Sequence, residues 1–495
     1  VSIEARGRAR AFLRASCIAA VAALATCICT TAMAALPREV ARALRDAGVP
    51  LDRVAVMVQE VGAARPLFAH DADRAMNPAS VMKLVTTFVA LELLGPDYRW
   101  RTEAYADGPL ERGVLHGDLV LRGRGDPKIT VEQWQAFMTR LRATGLDAID
   151  GRLALDRSAF DVPAYDPGAF DGEPQKPYNV GPDALLVNFK AADLVFTPDA
   201  STGRAGVRLD PPLPGVNVAA PPLDAGPCGD WRSALRPRFD DDGRGARISF
   251  AGSFAAACGE REWWISLLDA PHYAHQMFTV YFRAAGGRFD GPMIERPAPA
   301  GARPLAVLES PPLYDVVRDV NKFSNNVMAR QIFLTLALEA APPPATPAKA
   351  ADVVRRFLAL RRIAIPKLVM ENGSGLSRNE RITAEGLVRL LVAADRSAVR
   401  EDFASSLAVA AVDGTVERRF QLGPAAGQAL LKTGSLEGVR ALAGYVLDAQ
   451  GHRYAVAAII NHPAAARGSA ALETLVQWIY ANAASYGGSA ARAIR

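Results

Sequence analysis

The chain has 495 residues, half of them hydrophobic, with 40 glycines and 34 prolines, which suits a loop-rich globular protein of two or three domains. Its formal net charge is +5, but four arginines against one glutamate in the first 34 residues carry +3 of it. The +2 that remains gives no charge argument for a nucleic-acid partner.

Arginines lead into an apolar run over residues 15–30, and Ala32-Met33-Ala34 fits a small-residue cleavage site. This is the pattern of a secretory signal peptide, residues 1–34, cleaved near Ala34, with export to the periplasm as the expected destination. The run is short and alanine-rich for a membrane-spanning helix. Cys17, Cys27 and Cys29 fall within this segment, which leaves Cys228 and Cys258. An oxidising compartment favours a disulfide between such an even pair.

Residues 36–47 read as an amphipathic helix, and 53–61 with 65–70 as a hairpin. Asn77-Pro78-Ala79-Ser80-Val81-Met82-Lys83 follows, at the expected start of a buried helix. At a spacing of three, Ser80 and Lys83 share a helix face. An unassisted serine hydroxyl is a poor nucleophile, whereas a lysine whose pKa is lowered by burial can take its proton. A helix cap next to a surface lysine is the plainer reading of the pair alone. Two partner motifs farther along change the balance.

From about residue 101 to 299 the chain is rich in short apolar runs broken by Gly, Pro and Asp, as in 117–121 and 184–196, which reads as mainly β. Gly123-Arg124-Gly125-Asp126-Pro127 lacks the third glycine of a dinucleotide fingerprint and reads as a tight turn. His272 and His275 have no further ligand candidates at a zinc-like spacing, so no metal site and no cofactor are expected.

Helical patterning returns over 313–338. Within it, Ser324-Asn325-Asn326 reads as a turn between helices, able to aim a hydroxyl and an amide into one cleft. Ser377-Arg378-Asn379 fits the same short pattern, and a helix cap is an equally good reading of either. Helices follow near 350–361 and 383–394 around the loop 372–378. Strands follow over 429–433, 441–447 and 454–461, and a helix over 469–485. Lys432-Thr433-Gly434-Ser435 lies on the first of these strands. The lysine supplies charge, the threonine hydroxyl can bond a carboxylate, and the glycine lets a substrate approach the backbone. Strands at both ends with helices between suggest one α/β domain in two segments, 35–100 and 300–495, with 101–299 inserted as one or two small β-rich domains.

Ser-x-x-Lys, Ser-x-Asn and Lys-Thr-Gly in this order resemble the motif set of penicillin-binding proteins and class A β-lactamases. The long interval between Ser80 and Ser324 resembles the D-alanyl-D-alanine carboxypeptidase/endopeptidase family, the class C low-molecular-mass penicillin-binding proteins. So do 121–127, 185–189, 228–258, 321–326, 373–378 and 412–415. The resemblance implies a transpeptidase-type α/β fold and a serine peptidase acting on peptidoglycan stem peptides. It implies Ser80 as nucleophile and Lys83 as its base, Ser324 as proton relay, and Asn326 on the substrate amide. Lys432, Thr433 and Ser435 would hold the terminal carboxylate beside Gly434, with the backbone N–H groups of Ser80 and Ser435 as oxyanion hole. β-Lactam antibiotics would acylate Ser80. Peripheral membrane association and oligomeric state stay open. A β-lactamase and a non-catalytic wall-binding module are the rival readings; the insertion argues against the first and the intact motifs against the second.

Overall fold

The computed structural model describes residues 36–492; the signal-peptide reading lies outside them. The chain opens with α1 (Arg38–Asp46) and the hairpin β1 (Val54–Glu60) and β2 (Phe68–His70). One turn of 3-10 helix, Ala79–Met82, then runs into α2 (Lys83–Leu94). The inserted region contributes β3 (Arg101–Asp107), β4 (Asp118–Arg122), α3 (Val131–Ala143), β5 (Leu153–Asp156), β6 (Ala192–Asp199), β7 (Arg204–Asp210), β8 (Arg261–Ile265), α4 (Ala270–Ala284), β9 (Met293–Glu295) and β10 (Ala306–Glu309). The chain returns through α5 (Leu313–Phe323), α6 (Asn326–Ala340), α7 (Pro347–Leu360) and α8 (Ala384–Asp395). It closes with β11 (Ala408–Val409), β12 (Ala429–Leu436), β13 (Val439–Leu447), β14 (Arg453–Asn461) and α9 (Ser469–Arg492).

Six strands from the two ends of the chain form one antiparallel sheet in the order β11-β12-β13-β14-β1-β2. Side chains alternate across it. Val54, Val56 and Val58 pack toward α1 and α9, and Ala55 and Met57 toward α2, α5, α6, α7 and α8. β14 repeats the pattern, with Val456, Ala458 and Ile460 on one face and Ala455, Ala457 and Ile459 on the other. A sheet covered on both faces needs apolar residues at every position, which is why these strands read as unbroken hydrophobic runs.

The inserted region has its own core and carries more helix than its β-rich sequence suggests. A five-stranded sheet, β9-β5-β4-β3-β10, mixes parallel and antiparallel pairs, and β7-β6-β8 form a second, antiparallel sheet. Helices α3 and α4 pack on this core through Trp134, Phe137 and Leu141 and through Tyr273, Phe278 and Phe282. The larger sheet reaches past residue 299, because β10 pairs with β3. The run 184–196 is a strand only from Ala192 onward. Before it, Asn188, Phe189 and Lys190 turn with φ of 46°, 54° and 52°. Asn188 Nδ2 closes that turn on the Ala191 carbonyl at 2.9 Å.

Cys228 and Cys258 are disulfide-bonded within the insert. On the loop-entropy account a closed loop of this length stabilises by about 3–4 kcal/mol. Replacing both cysteines with alanine should therefore lower the unfolding free energy by about that amount in urea titrations. Unreduced protein should show neither thiol free. Polar contacts tie the insert to α5 and α6: Lys128 Nζ to Asp319 at 2.5 Å and Arg124 to Glu339 at 3.1 Å; just before the insert, Trp100 Nε1 donates to Thr335 Oγ1 of α6 at 2.9 Å.

Candidate active site

Ser80 stands where the 3-10 turn enters α2, and the chain just before it is pinned tightly. Asn77 Oδ1 accepts the Ala79 N–H at 2.9 Å, Asn77 Nδ2 donates to the Ser377 carbonyl at 2.8 Å, and Asn461 brackets the Asn77 backbone from both sides. Ala79 is held in the left-handed region at φ 47°, a conformation that costs an alanine free energy and that these contacts impose. Two glycines come close to this turn. A Cβ on Gly434 would lie 2.4 Å from the Pro78 carbonyl oxygen, and one on Gly375 1.9 Å from that of Ala79. Any side chain at either position would push the Ser80 turn out of place.

Lys83 is fully buried. Its Nζ lies 2.8 Å from Ser80 Oγ, 2.6 Å from Asn326 Oδ1 and 2.5 Å from the Ser374 carbonyl oxygen. Burial pushes its pKa well below the usual lysine value; Lys432 and Arg330 push it lower still, and Glu380 opposes them. A neutral amine has two N–H groups and one lone pair. The amide and carbonyl oxygens take the two N–H groups, which leaves the lone pair for the Ser80 hydroxyl. The geometry therefore suits a base.

The second motif resolves into separate roles. Ser324 ends α5 in a left-handed conformation at φ 60°, which breaks the 313–338 pattern into two helices. Asn325, not Ser324, caps α6, accepting the Met328 N–H at 3.0 Å. That frees the Ser324 hydroxyl, which accepts from Lys432 Nζ at 2.8 Å. Lys432 is fully buried too, and burial pushes its pKa down to about 7. The competing Ser377 is spent inside its own loop, donating to Glu371 and accepting the Asn379 and Glu380 N–H groups.

Lys432, Thr433, Gly434 and Ser435 lie on β12, next to β11. β11 pairs only with Leu430 and Leu431, so among the described residues no strand covers that edge of β12 beyond Leu431. An extended peptide can add to such an edge. Thr433 Oγ1 donates to Thr415 Oγ1 at 2.9 Å, and Ser435 is exposed. The structure thus brings Ser80, Lys83, Ser324, Asn326 and Lys432 together, with Gly434 against the Ser80 turn. His272 and His275 are far simpler: one bonds Asp269 and the other the Gly291 carbonyl.

Several residues of this site carry no motif of their own. Ser374 contributes only a carbonyl oxygen. Glu380 is fully buried, and its Oε1 accepts three successive backbone N–H groups, from Glu371, Asn372 and Gly373. Arg330, also buried, donates to the Val180 carbonyl at 2.5 Å and lies 5.3 Å from the Tyr165 ring centre. Asn326 Nδ2 reaches the Tyr178 carbonyl at 3.5 Å, and Arg378 lies 4.6 Å from the Phe170 ring centre. The insert segment 165–180 therefore borders the cleft. The apolar spacing of α6 hides Arg330, and Glu380 sits in a loop whose sequence reads as solvated.

The family model for D-Ala-D-Ala carboxypeptidase 3 (S13) matches residues 36–481. The chain is 29% identical to a D-alanyl-D-alanine carboxypeptidase of Actinomadura sp. (strain R39), over 80% of this chain and 75% of that one. It is 26% identical to the D-alanyl-D-alanine carboxypeptidase DacB of Haemophilus influenzae, over 78% of this chain and 80% of the other. The fold is similar to the crystal structure of penicillin binding protein 4 (dacB) from H. influenzae, with TM-score 0.74 and 21% identity over 88% of this chain and 99% of that one.

Proposed function

We propose, for a chain that belongs to the D-Ala-D-Ala carboxypeptidase 3 (S13) family, that the cluster around Lys83 is the catalytic centre and Ser80 its nucleophile. The protein is a serine-type D-alanyl-D-alanine carboxypeptidase of peptidoglycan stem peptides, with endopeptidase action within the same chemistry. The observation that carries the residue roles is the placement of one buried amine between Ser80 Oγ and Asn326 Oδ1, at 2.8 and 2.6 Å.

Lys83 Nζ takes the Ser80 proton as Oγ attacks the carbonyl between the two terminal D-alanines. The backbone N–H groups of Ser80 and Ser435 face the developing oxyanion; Gly434 is what lets β12 come so near the Ser80 turn. Ser324, bonded to Lys432, passes a proton to the leaving amine. Asn326 holds the substrate amide, and Lys432, Thr433 and Ser435 hold the terminal carboxylate. Water then hydrolyses the Ser80 ester. A β-lactam offers a strained amide beside a carboxylate and so acylates the same serine, but its tethered leaving group slows that last step.

The chain divides into a signal segment 1–34, a catalytic unit from both flanks, and an inserted unit that ends with β10. The arginine-led apolar leader and the disulfide support export to the periplasm.

Incubating the purified protein with muropeptides and reading the products by mass tests the function. Release of D-alanine is expected, and release of cross-linked neighbours would add endopeptidase action. No cleavage of either kind would refute the proposal. Lys432→Ala should lower kcat/KM on these substrates at least about tenfold, since a lost charged hydrogen bond costs about 1.5–3 kcal/mol. Its unfolding midpoint should move little, because the substitution also removes a costly buried amine. Unchanged activity would take Lys432 out of the site.

A further inference from the structure

Four ionisable side chains are packed, almost without solvent, around the nucleophile. Lys83 from α2, Arg330 from α6 and Lys432 from β12 are cationic by nature; Glu380, from the loop after Ser377, is a fully buried carboxylate beside them. Glu371, at the start of the same loop, is turned to Ser377 Oγ and Asn379 Nδ2, and Glu385, on α8, is paired with Arg389. Arg378 and Arg381, on the Glu380 loop, reach the Glu437 and Arg378 carbonyls.

The two oxygens of Glu380 are treated unequally. Oε1 accepts the N–H groups of residues 371, 372 and 373 at 3.0, 3.0 and 3.1 Å. Oε2 is buried with no hydrogen-bond partner. Successive N–H groups converging on one oxygen form an anion-binding nest, which orders the backbone that supplies them. The next residue along that backbone is Ser374, and its carbonyl oxygen accepts from Lys83 Nζ at 2.5 Å. Thr86 Oγ1 grips the Gly373 carbonyl from α2 at 2.7 Å. A continuous hydrogen-bonded path therefore runs from the Glu380 carboxylate through the loop to the amine.

Resting on the assignment of Lys83 as base, we infer that Glu380 is a positioning residue for it: the carboxylate fixes the 371–374 loop so that Ser374 orients the amine, and its charge sets the pH at which that amine becomes free. Burial raises the Glu380 pKa, while the three N–H groups and Lys83 lower it. An ionised Glu380 favours protonated Lys83 and so raises the lysine's pKa; removing the charge must lower it. Glutamine keeps an acceptor oxygen for the three N–H groups and deletes only the charge. Alanine deletes both.

The experiment is the rate of Ser80 acylation by a fluorescent penicillin as a function of pH, in wild type, E380Q and E380A, with adducts mapped by mass. E380Q should move the acid limb to lower pH by about half a unit or more. A neutral acceptor is weaker, so its plateau rate should fall about fivefold. E380A should lose about a hundredfold on the plateau, because the base is no longer held in place. A limb unmoved in E380Q overturns the role of the charge, and a plateau intact in E380A overturns the role of the loop. A near-UV spectrum checks packing; if E380A fails to fold, the limb in E380Q alone decides. Failure of wild type to label at Ser80 would instead sink the parent assignment.

Discussion

Ser80→Ala should carry no penicillin label and release no D-alanine. Removing the nucleophile from other serine hydrolases costs on the order of 10⁶ in turnover, which falls below detection here. The effect should be chemical and not structural. The lost hydroxyl is one of three polar partners of Lys83 Nζ; Asn326 and Ser374 keep the amine bonded. Thermal unfolding of the variant should therefore stay close to wild type. Ser324→Ala should slow labelling without abolishing it, since a water can stand in for a relay but not for a nucleophile. An adduct on Ser324, Ser377 or any serine other than Ser80 would overturn the assignment.

Lys83→Ala should slow acylation by about 10²–10⁴-fold, the usual contribution of a positioned base. The sign of the pH dependence follows from burial. The amine's pKa is depressed in the folded protein, so the active, neutral form is populated at lower pH than for a free lysine. Wild-type acylation should rise with pH through that depressed pKa, and a plateau should precede the ordinary lysine range. The variant should lack this rise. Its stability should fall less than the loss of three contacts suggests, because an amine that is costly to bury in charged form leaves with them. Labelling of Lys83→Ala at the wild-type rate would exclude the lysine as base.

What the sequence made legible and what it hid divide along physical lines. The three motifs are legible because each packs its chemistry into four residues or fewer, where local spacing decides geometry. The two-segment sheet is legible because strands buried on both faces must be apolar throughout. The helices of the insert are harder. α3 opens with Thr130 and Gln133 in a reciprocal cap, but its exposed face and the short strands around it mask the periodicity. Glu380, Arg330 and the Ser374 carbonyl act through backbone and burial, which only the assembled fold supplies. The break at Ser324 is half legible: the turn is written in Ser-Asn-Asn, but the left-handed geometry that frees the hydroxyl is not.

The register of the central sheet sets an order of events during synthesis. β1, which precedes the Ser80 turn in the chain, pairs along its whole length with β14, from Val54 opposite Ile460 to Glu60 opposite Tyr454. Pairings so remote in sequence pay their loop-closure entropy before any contact repays it, and they form late. Until residue 461 has emerged, Asn77 lacks its Asn461 bracket, and Lys432 and Gly434 have no sheet to hold them against Ser80. The inserted region has no such debt, since its strands and its disulfide close among themselves. A chain in which β14 has not yet paired with β1 thus holds Ser80 without β12 locked against its turn.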